Sequence, residues 1–391
     1  MFIPTFQGLT ATDFVLSASG RTAPRRYPFD VPHLTFYRAR NAIYHLFKVL
    51  KSASERLTVL VPDYNSGNEV LALEAAGATI FYYPVGPDGQ ADAAEVERLC
   101  AVHEPDVLYV IHYLGWPQPI RQFADLARRR GMWLVEDCAL ALLSDAGDQP
   151  LGTFGHFSIF CLYKTLPLPN GACLVENGEH LAGLESLNLR QAGLPSVLGR
   201  TAELVVRNIR GRSDGLGAAM ESMKRAAGRA VGAMDVPRAK IGDIGFNIDD
   251  VDLAMSEISA RLLRRLDLEE VRTRRIDNYR RLASQLAGQV TPLHDELPAG
   301  ACPLLFPILV EDKQEAADIL RGCGIDVLEF WNHGATGDES IRSAGLAVQD
   351  PPSNAEYLRQ HVLGLPIHQD LTGRHIDYVA EQIGRLNLRM S

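Results

Sequence analysis

The chain has 391 residues and a formal net charge of −9 at pH 7, with 46% hydrophobic and 22% charged residues. These values are typical of a globular protein and exclude a disordered chain. The acidic balance argues against nucleic acid as the main partner, because phosphate binding needs a basic surface. No apolar run approaches the ~20 residues of a membrane span, and the first residues do not resemble a signal peptide, so we expect a cytoplasmic protein.

The cysteines predict neither disulfides nor a metal centre. None of them forms a C-x-x-C pair, and no nearby histidine supplies zinc-ligand spacing. Most lie in apolar segments, where cysteine behaves as a small hydrophobic residue. We therefore expect a reducing compartment and no structural metal. The six positions are Cys100, Cys138, Cys161, Cys173, Cys302 and Cys323.

The first half of the chain alternates strand-like and helix-like segments. Short apolar runs predict strands, and the segments between them predict helices. This alternation is typical of βαβ units and predicts an α/β fold with a mostly parallel sheet, in which ligands bind beyond the carboxyl ends of the strands. In chain order we predict strand 57–61, helix 69–76, strand 79–83, helix 91–100, strand 107–111, helix 120–130 and strands 132–135, 157–162 and 172–175.

The second half of the chain predicts a long helix followed by a smaller α+β unit. Leucines spaced three and four apart predict that the helix covers residues 249–288. We therefore divide the chain into a large domain (1–248), a connecting helix (249–288) and a small C-terminal α+β domain (289–391). Within the last domain we predict strand 303–310, helix 313–323, strands 325–328 and 362–366, and a final helix from Gly373.

Residues 186–240 form a basic segment inside the large domain. They contain 10 Lys or Arg and 4 Asp or Glu, a local charge of +6, which leaves −15 for the rest (−9 minus 6). One interpretation is an inserted pair of connecting helices with a solvated surface. The other is a surface that attracts an anionic substrate or partner, with Arg207, Arg210 and Arg212 as its candidates.

Asp137 is the first candidate for chemistry. It directly follows the predicted strand 132–135 and Glu136, and an apolar run, 138–143, comes after it. A carboxylate in so apolar a setting should be paired or bound to a ligand, because an unpaired buried charge is costly. The alternative is an aspartate that caps a helix.

Lys164 is the second candidate. The chain has only six lysines, and Lys164 alone follows an apolar strand directly and precedes a turn-forming run. Such a lysine can form a Schiff base with a carbonyl, although its side chain can also simply extend to water. Together with Asp137, 27 residues earlier, it meets the needs of pyridoxal phosphate: an amine for the aldehyde and a carboxylate that keeps the pyridine nitrogen protonated.

Five motifs, taken in order, resemble those of the pyridoxal-phosphate aminotransferases of the DegT/StrS type. They are Val135–Asp137, Gly152–Gly155, Lys164 with a glycine turn beyond it, Gly245–Asn247 and Leu363–His368. The resemblance covers about residues 36–388 apart from the basic segment. The family has fold type I of the aspartate aminotransferases and mostly aminates keto groups on nucleotide-linked sugars.

This resemblance implies a phosphate-binding position at Ala39 and Arg40, where an early helix begins. The family usually has Ser-Gly-Thr there, but a helix N-terminus favours an anion and Arg40 adds a charged donor. An arginine on an amphipathic helix is the alternative. The aromatic residue that stacks on the cofactor in the family aligns near Ser66. Tyr64 is therefore a candidate for stacking, or else a packed tyrosine.

Other positions depart from the family pattern. Leu140 stands where the family commonly has Gln or His against the ring hydroxyl of the cofactor. The phosphate-binding serine usually lies five residues before the lysine, whereas Ser158 lies six before Lys164. Cys161 occupies the strand face three residues before the lysine, and we include it among the cofactor-binding candidates.

Three further positions follow from the resemblance. Asn247 aligns with an asparagine that reaches the neighbouring subunit's cofactor phosphate, which implies a homodimer, although Asp249 two residues on would repel a phosphate. His112 would face the cofactor pocket, or else it is a satisfied core histidine. His333 lies where the family has substrate-entrance residues, with a structural histidine as the alternative.

We therefore predict an aminotransferase that moves nitrogen from an amino-acid donor to a keto group on a sugar or related intermediate. Lys164 would hold pyridoxal 5′-phosphate as a Schiff base and act as the general base. The alternative is another reaction of the same cofactor, namely decarboxylation, elimination or carbon–carbon bond formation, which Leu140 motivates. A non-enzymatic cofactor-binding regulator is the third hypothesis, and the Asp137–Lys164 pair argues against it.

Overall fold

The computed structural model describes residues 1–10, 13, 26–178, 180–212, 245–331 and 353–386. Two sheets organise these residues, one of seven strands and one of four. Among the described residues, no helix combines the length and the apolar composition needed to cross a membrane.

The large sheet confirms the predicted α/β class. Its order is β3-β2-β4-β5-β6-β7-β1, and the four pairings among the first five strands in this order are parallel. The pairings β6–β7 and β7–β1 are antiparallel. The strands are β1 (Leu34–Phe36), β2 (Thr58–Pro62), β3 (Thr79–Tyr83), β4 (Val107–Ile111), β5 (Trp133–Asp137), β6 (Phe157–Cys161) and β7 (Ala172–Glu176).

Helices cover the large sheet, and its central strands are apolar for that reason. Every residue of β2, β4 and β6 is buried, as expected for strands covered on both faces. Helix α1 buries Ile43, Leu46 and Phe47, and each such side chain contributes ~1.5–3 kcal/mol of transfer free energy. The helices of this part are α1 (Ala39–Ser52), α2 (Asn68–Ala75), α3 (Ala93–His103), α4 (Ile120–Arg130), the single turn α5 (Leu162–Thr165) and the short helix Ala182–Glu185.

The register of the parallel strands brings the predicted site residues to one edge of the sheet. Asp137, the last residue of β5, lies opposite Ile111 of β4 and Ile159 of β6. Cys161 ends β6, and Lys164 follows in α5. The carboxyl ends of these neighbouring strands therefore carry both residues on which the cofactor prediction depends.

The predicted helix over residues 249–288 is wrong as a single element. A 3-10 turn (Ile248–Asp250) and a short strand (Leu253–Ala254) precede α7 (Glu257–Leu263) and α8 (Leu268–Leu286). Two capping residues explain the breaks. Ser256 accepts from the backbone N–H of Ser259, and Asp267 accepts from those of residues 269 and 270, so that each side chain starts a new helix.

The small sheet is antiparallel, with the order β8-β9-β11-β10. Helix α11 packs along α8, which joins the two parts of the molecule. The elements are β8 (Thr291–Pro292), β9 (Phe306–Leu309), α9 (Lys313–Gly322), β10 (Leu328–Glu329), α10 (Asn354–His361), β11 (Val362–Leu365) and α11 (Gly373–Leu386).

The first residues of the chain pack against this C-terminal part. Ile3 forms a parallel bridge with Ile325, and its backbone exchanges hydrogen bonds of 2.8 Å with Gly324 and Asp326. Nε2 of buried His368, from the late motif, lies 3.1 Å from the carbonyl oxygen of Pro4. The first residues of the predicted large domain (1–248) thus contact the C-terminal part of the chain. The boundaries near residues 248 and 288 stay a prediction.

The described part of the basic segment contains one long helix, α6 (Leu194–Arg212). Val197 of α6 packs with Tyr37 and Leu253 in a small buried cluster. Just before α6, the strand Arg190–Gln191 pairs with Leu253–Ala254. Residues 213–240 of the segment lie outside the described residues. Helix α6 is therefore docked on the large sheet's side of the molecule, beside the start of α1.

Candidate active site

A cavity of about 410 Å³ opens at the carboxyl edge of the parallel strands. Asp137, Cys161 and Lys164 line it from the sheet, and Ala39 and Arg40 line it from the first turn of α1. Its volume is in the range of small-molecule and cofactor sites. The structure thus brings together five of the residues that the sequence selected.

Asp137 is buried at the base of this cavity and is held by two hydrogen bonds. The Tyr109 hydroxyl donates to Oδ2 at 2.6 Å, and the backbone N–H of Ala139 donates to Oδ1 at 2.8 Å. Burial first, and then the charge of Glu69, raise the pKa of Asp137 to about 6, against the opposing effects of both hydrogen bonds and of Lys164. A cationic partner inside the cavity would relieve this cost of ionisation.

Lys164 lies in α5, the single turn that follows β6. The chain then folds back through Gly171, whose carbonyl oxygen accepts a 2.9 Å bond from the N–H of Leu162. Gly171 has a φ of 138°, and a Cβ there would lie 2.8 Å from Sδ of Met255, so a side chain would strain the turn. The glycine beyond the lysine thus fixes the turn that presents Lys164 to the cavity.

A buried cation stands at the start of α1. Arg40 lies in the first turn, and one of its nitrogens donates to the carbonyl oxygen of Gly245. Burial lowers the pKa of this guanidinium, while the nearby Tyr163 and Glu69 raise it. Backbone N–H groups of a helix N-terminus together with a buried arginine suit a phosphate, which agrees with the position implied for Ala39 and Arg40.

The motif Gly152–Gly155 surrounds Glu136 and does not line the cavity. The N–H groups of Gly152, Phe154 and Gly155 donate to its carboxylate at 2.8, 2.7 and 2.6 Å. A Cβ at Gly155 would lie 2.7 Å from the carbonyl oxygen of Leu134, so only glycine fits this close approach. Adjacent strand residues point to opposite faces, so Glu136 and Asp137 serve different purposes.

The expectation that His112 faces the cofactor pocket is not met. Its Nδ1 accepts from the backbone N–H of Gln118 at 3.0 Å, so Nε2 carries the proton and donates to Glu136 at 3.1 Å. His112 and Glu136 are fully buried on the face of the sheet opposite Asp137. Cys138 lies close to both, but hydrogen bonds already occupy both ring nitrogens and both carboxylate oxygens. His112 is thus a satisfied core histidine.

Of the two positions considered for cofactor stacking, Ser66 lines the cavity and Tyr64 does not. The ring of Tyr64 packs against Tyr113 at 5.2 Å and Trp331 at 4.9 Å between ring centroids, and it does not line the cavity. Ser66, at the aligned position itself, does line it, and its hydroxyl donates to Glu69 at 2.6 Å. The contacts of Tyr64 therefore agree with the alternative of a packed tyrosine and not with the stacking role.

Of the other predicted positions, some line the cavity and others do not. Cys161 and Leu140 line the cavity, and Leu140 gives it an apolar wall without a hydrogen-bonding group. Ser158 is buried away from the cavity, 2.8 Å from the hydroxyl of Tyr27. Asn247 is exposed, and its Oδ1 caps the 3-10 turn through the N–H of Asp249. His333 lies outside the described residues.

Several residues that line the cavity, or that contact a residue lining it, were not selected from the sequence. Tyr109 is an interior strand residue, and only its register opposite β5 places its hydroxyl on Asp137. Tyr163 immediately precedes Lys164 and could have been found by its neighbourhood alone. Glu69 and Arg200 come from helices distant in sequence, for which no local signal exists.

The α/β fold and the lysine–aspartate pair at the cavity agree with what comparison with known proteins shows. Residues 39–384 match the DegT/DnrJ/EryC1/StrS aminotransferase family. The chain belongs to this family, and pyridoxal 5′-phosphate is the cofactor that the family indicates.

Individual relatives match more weakly. GDP-perosamine synthase of Escherichia coli O157:H7 is 29% identical over 35% of this chain, and the match spans only 38% of that relative's length. The Helicobacter pylori aminotransferase PseC, involved in the biosynthesis of pseudoaminic acid, shares the fold with a TM-score of 0.66 at 16% identity, over 98% of both chains. GDP-4-keto-6-deoxy-D-mannose-3-dehydratase of E. coli, solved with hydrated PLP, has a TM-score of 0.68 at 14% identity, over 98% of this chain and 100% of its own.

Proposed function

We propose that this protein is a pyridoxal-phosphate-dependent aminotransferase that moves an amino group from an amino-acid donor to a keto group on a nucleotide-linked sugar. The observation that carries the proposal is the convergence of Asp137, Lys164 and Arg40 on one cavity. The sugar substrate is supported by the name of the curated relative, GDP-perosamine synthase.

In this proposal some residues would bind the cofactor and Lys164 would take part in the reaction. When bound, pyridoxal phosphate supplies an aldehyde that captures amines and a ring that accepts electrons from a carbanion. Arg40 and the first N–H groups of α1 would hold its phosphate, and Asp137 would hold the proton on its ring nitrogen. Nζ of Lys164 would hold the aldehyde and would act as the general base at the substrate carbon that carries the amino group.

The two half-reactions of amino transfer, measured one after the other, test the proposal. Glutamate added to the yellow holoenzyme without an acceptor should remove the visible absorption and release one 2-oxoglutarate per site, because the nitrogen remains on the enzyme. A 4-keto sugar nucleotide should then restore the colour and leave as the amino sugar, which mass spectrometry detects. Failure of a panel of amino acids to yield any keto acid would overturn the proposal.

Elimination remains the second candidate, because Leu140 leaves the cavity without the polar group that the family commonly places there. The fold does not decide between the two reactions, since one of its structural neighbours is a dehydratase. A sugar product that has lost water and carries no new nitrogen would favour elimination in the same experiment.

We also propose a homodimer in which Asn247 serves the neighbouring site. Its side chain is exposed, while Gly245, two residues earlier, contacts cavity residues Arg40 and Asn68. Co-refolded Lys164→Ala and Asn247→Ala chains should be more active than either parent alone, because one of the two sites in each mixed dimer would then be intact. No gain on mixing, or a monomer in sedimentation at assay concentration, would contradict this.

A cytoplasmic location completes the proposal. All six cysteines are free and five of them are buried, which suits a reducing compartment. Fractionation of cells that express the protein would test the location, and recovery outside the cytoplasm would contradict it.

A further inference from the structure

Helix α6 brings one arginine of the basic segment into the wall of the cavity. Val197 and Leu204 of α6 are buried, and Arg200 lies between them on the same face, since residues three and four apart share a helix face. Arg200 accordingly lines the cavity that also contains Lys164 and Arg40. The anchoring contact of Val197 with Tyr37, two residues before Ala39, holds this part of α6 beside the start of α1.

The positive charge around Arg200 is only partly neutralised. Arg200 and Arg207 both donate to the single carboxylate of Glu203, so these three side chains together carry a net charge of +1. Nε of Arg200 is buried and has no hydrogen-bond partner in the structure. A buried donor without a partner destabilises the folded protein, and an incoming anion would supply the missing acceptor.

The arginines first considered from the sequence are placed differently. Arg207 is partly buried and donates to Glu203 at 3.1 Å. The guanidinium of Arg210 lies 4.0 Å from the ring centre of Phe2, against the N-terminal segment. Neither of them lines the cavity, and Arg212 does not line it either, so the contribution of this helix to the site comes from Arg200.

We propose that Arg200 binds the negatively charged group of a substrate, either the phosphate of the sugar nucleotide or the carboxylate of the amino donor. This rests on the proposed function. Arg40 and the N-terminus of α1 would hold the cofactor's phosphate, which leaves Arg200 for a second anion. A forked guanidinium that is already oriented by one carboxylate suits a phosphate or carboxylate oxygen pair.

The Arg200→Gln variant tests the proposal in separate half-reactions. A lost charged hydrogen bond is worth ~1.5–3 kcal/mol, so KM for one substrate should rise ~10- to 150-fold while kcat changes little. A rise in the acceptor half-reaction, with weaker binding of GDP in calorimetry, would identify the phosphate. A rise confined to the glutamate half-reaction would identify the carboxylate.

Two controls separate binding from structure. Arg210→Gln removes an arginine from the same helix outside the cavity and should leave both KM values unchanged. Glu203→Gln removes the shared carboxylate and should leave KM unchanged or lower, whereas a structural ion pair would make it resemble Arg200→Gln. Should the glutamine variant fail to fold, Arg200→Lys keeps the charge but not the fork and should show a smaller rise in the same KM.

Several results would overturn the proposal. Unchanged KM for both substrates together with unchanged GDP binding would remove Arg200 from substrate recognition. Loss of affinity for pyridoxal phosphate, measured by titration of the apoprotein, would assign Arg200 to the cofactor instead. Failure of the proposed function shows separately, because the wild-type protein would then give no half-reaction with any amino acid.

Discussion

Replacing Lys164 with alanine is expected to reduce amino transfer by at least ~10²- to 10⁴-fold, the range for loss of a general base. Among the described lysines, Lys164 is the one that lines the cavity, and α5 presents it beside Asp137. The variant should also lose the covalent link that borohydride fixes in the wild-type protein. Turnover with glutamate and a keto sugar, together with the mass of the reduced protein, measures both effects.

Two other lysines provide a control for this prediction and an alternative site for the covalent link. Lys48→Ala changes an exposed residue of α1 and should leave colour and turnover as in the wild type. Lys313 is buried, which lowers its pKa to about 8, so it is the described lysine that could compete as an amine at neutral pH. Its Nζ, however, donates to the carbonyl oxygen of Phe330 at 3.0 Å and to that of Arg359. Peptide mapping that placed the borohydride adduct on Lys313 would contradict the assignment of Lys164.

Six of the seven strands of the large sheet could be predicted from the sequence, because each is mostly apolar and ends at a clear break, whereas the three-residue strand β1 was not predicted. The predicted strands 79–83 and 107–111 agree with the structure residue for residue. Asp137 and Lys164 could be found for the same reason, since each stands where an apolar strand ends. The end of a strand can be located from the local sequence. In a parallel sheet the carboxyl ends of the strands are also where ligands bind, so such a position indicates function as well.

The remaining site residues depend on which strand face or helix reaches the cavity. His112 and Asp137 are close in the sheet, where the N–H of His112 donates to the carbonyl oxygen of Asp137 at 3.0 Å. Their side chains nevertheless point to opposite faces, and pattern alone did not show which face His112 takes. Arg200 is 36 residues from Lys164, and only the docking of Val197 brings it to the site. Such contacts are tertiary, so a single sequence does not contain a local signal for them.

Asp137→Asn is expected to retain cofactor but to lose ~10²- to 10³-fold in turnover, the range for removal of one preorganised electrostatic contact. An amide cannot stabilise a proton on the pyridine nitrogen as a carboxylate does. Tyr109→Phe is the matched control, because it removes the 2.6 Å hydrogen bond and keeps the carboxylate. It should reduce turnover less than Asp137→Asn does. Near-normal rates in Asp137→Asn would exclude the role assigned to the carboxylate.

The same variant should be more stable than the wild-type protein when both lack cofactor. Burial raises the pKa of Asp137 to about 6 in the folded protein, against ~3.9 in an unfolded chain. Between these two pH values the folded state binds more protons than the unfolded state. The free energy of unfolding of the apoprotein should therefore fall as pH rises from about 4 to about 6, by up to ~3 kcal/mol.

Asparagine does not titrate, so apo Asp137→Asn should lack this contribution and should unfold at higher urea concentration than the wild type at pH 7. Pyridoxal phosphate should reverse the order, because the protonated ring nitrogen gives the wild-type carboxylate a cationic partner and gives the amide none. Urea unfolding of both proteins, each with and without cofactor, at pH 4.5 and at pH 7 measures these differences in stability. Equal pH dependence in the two apoproteins would show that the buried charge of Asp137 is already compensated by Tyr109 and Ala139. The carboxylate of Asp137 would then have no effect on the stability of the apoprotein, and it would not need a bound cation to offset the cost of its burial.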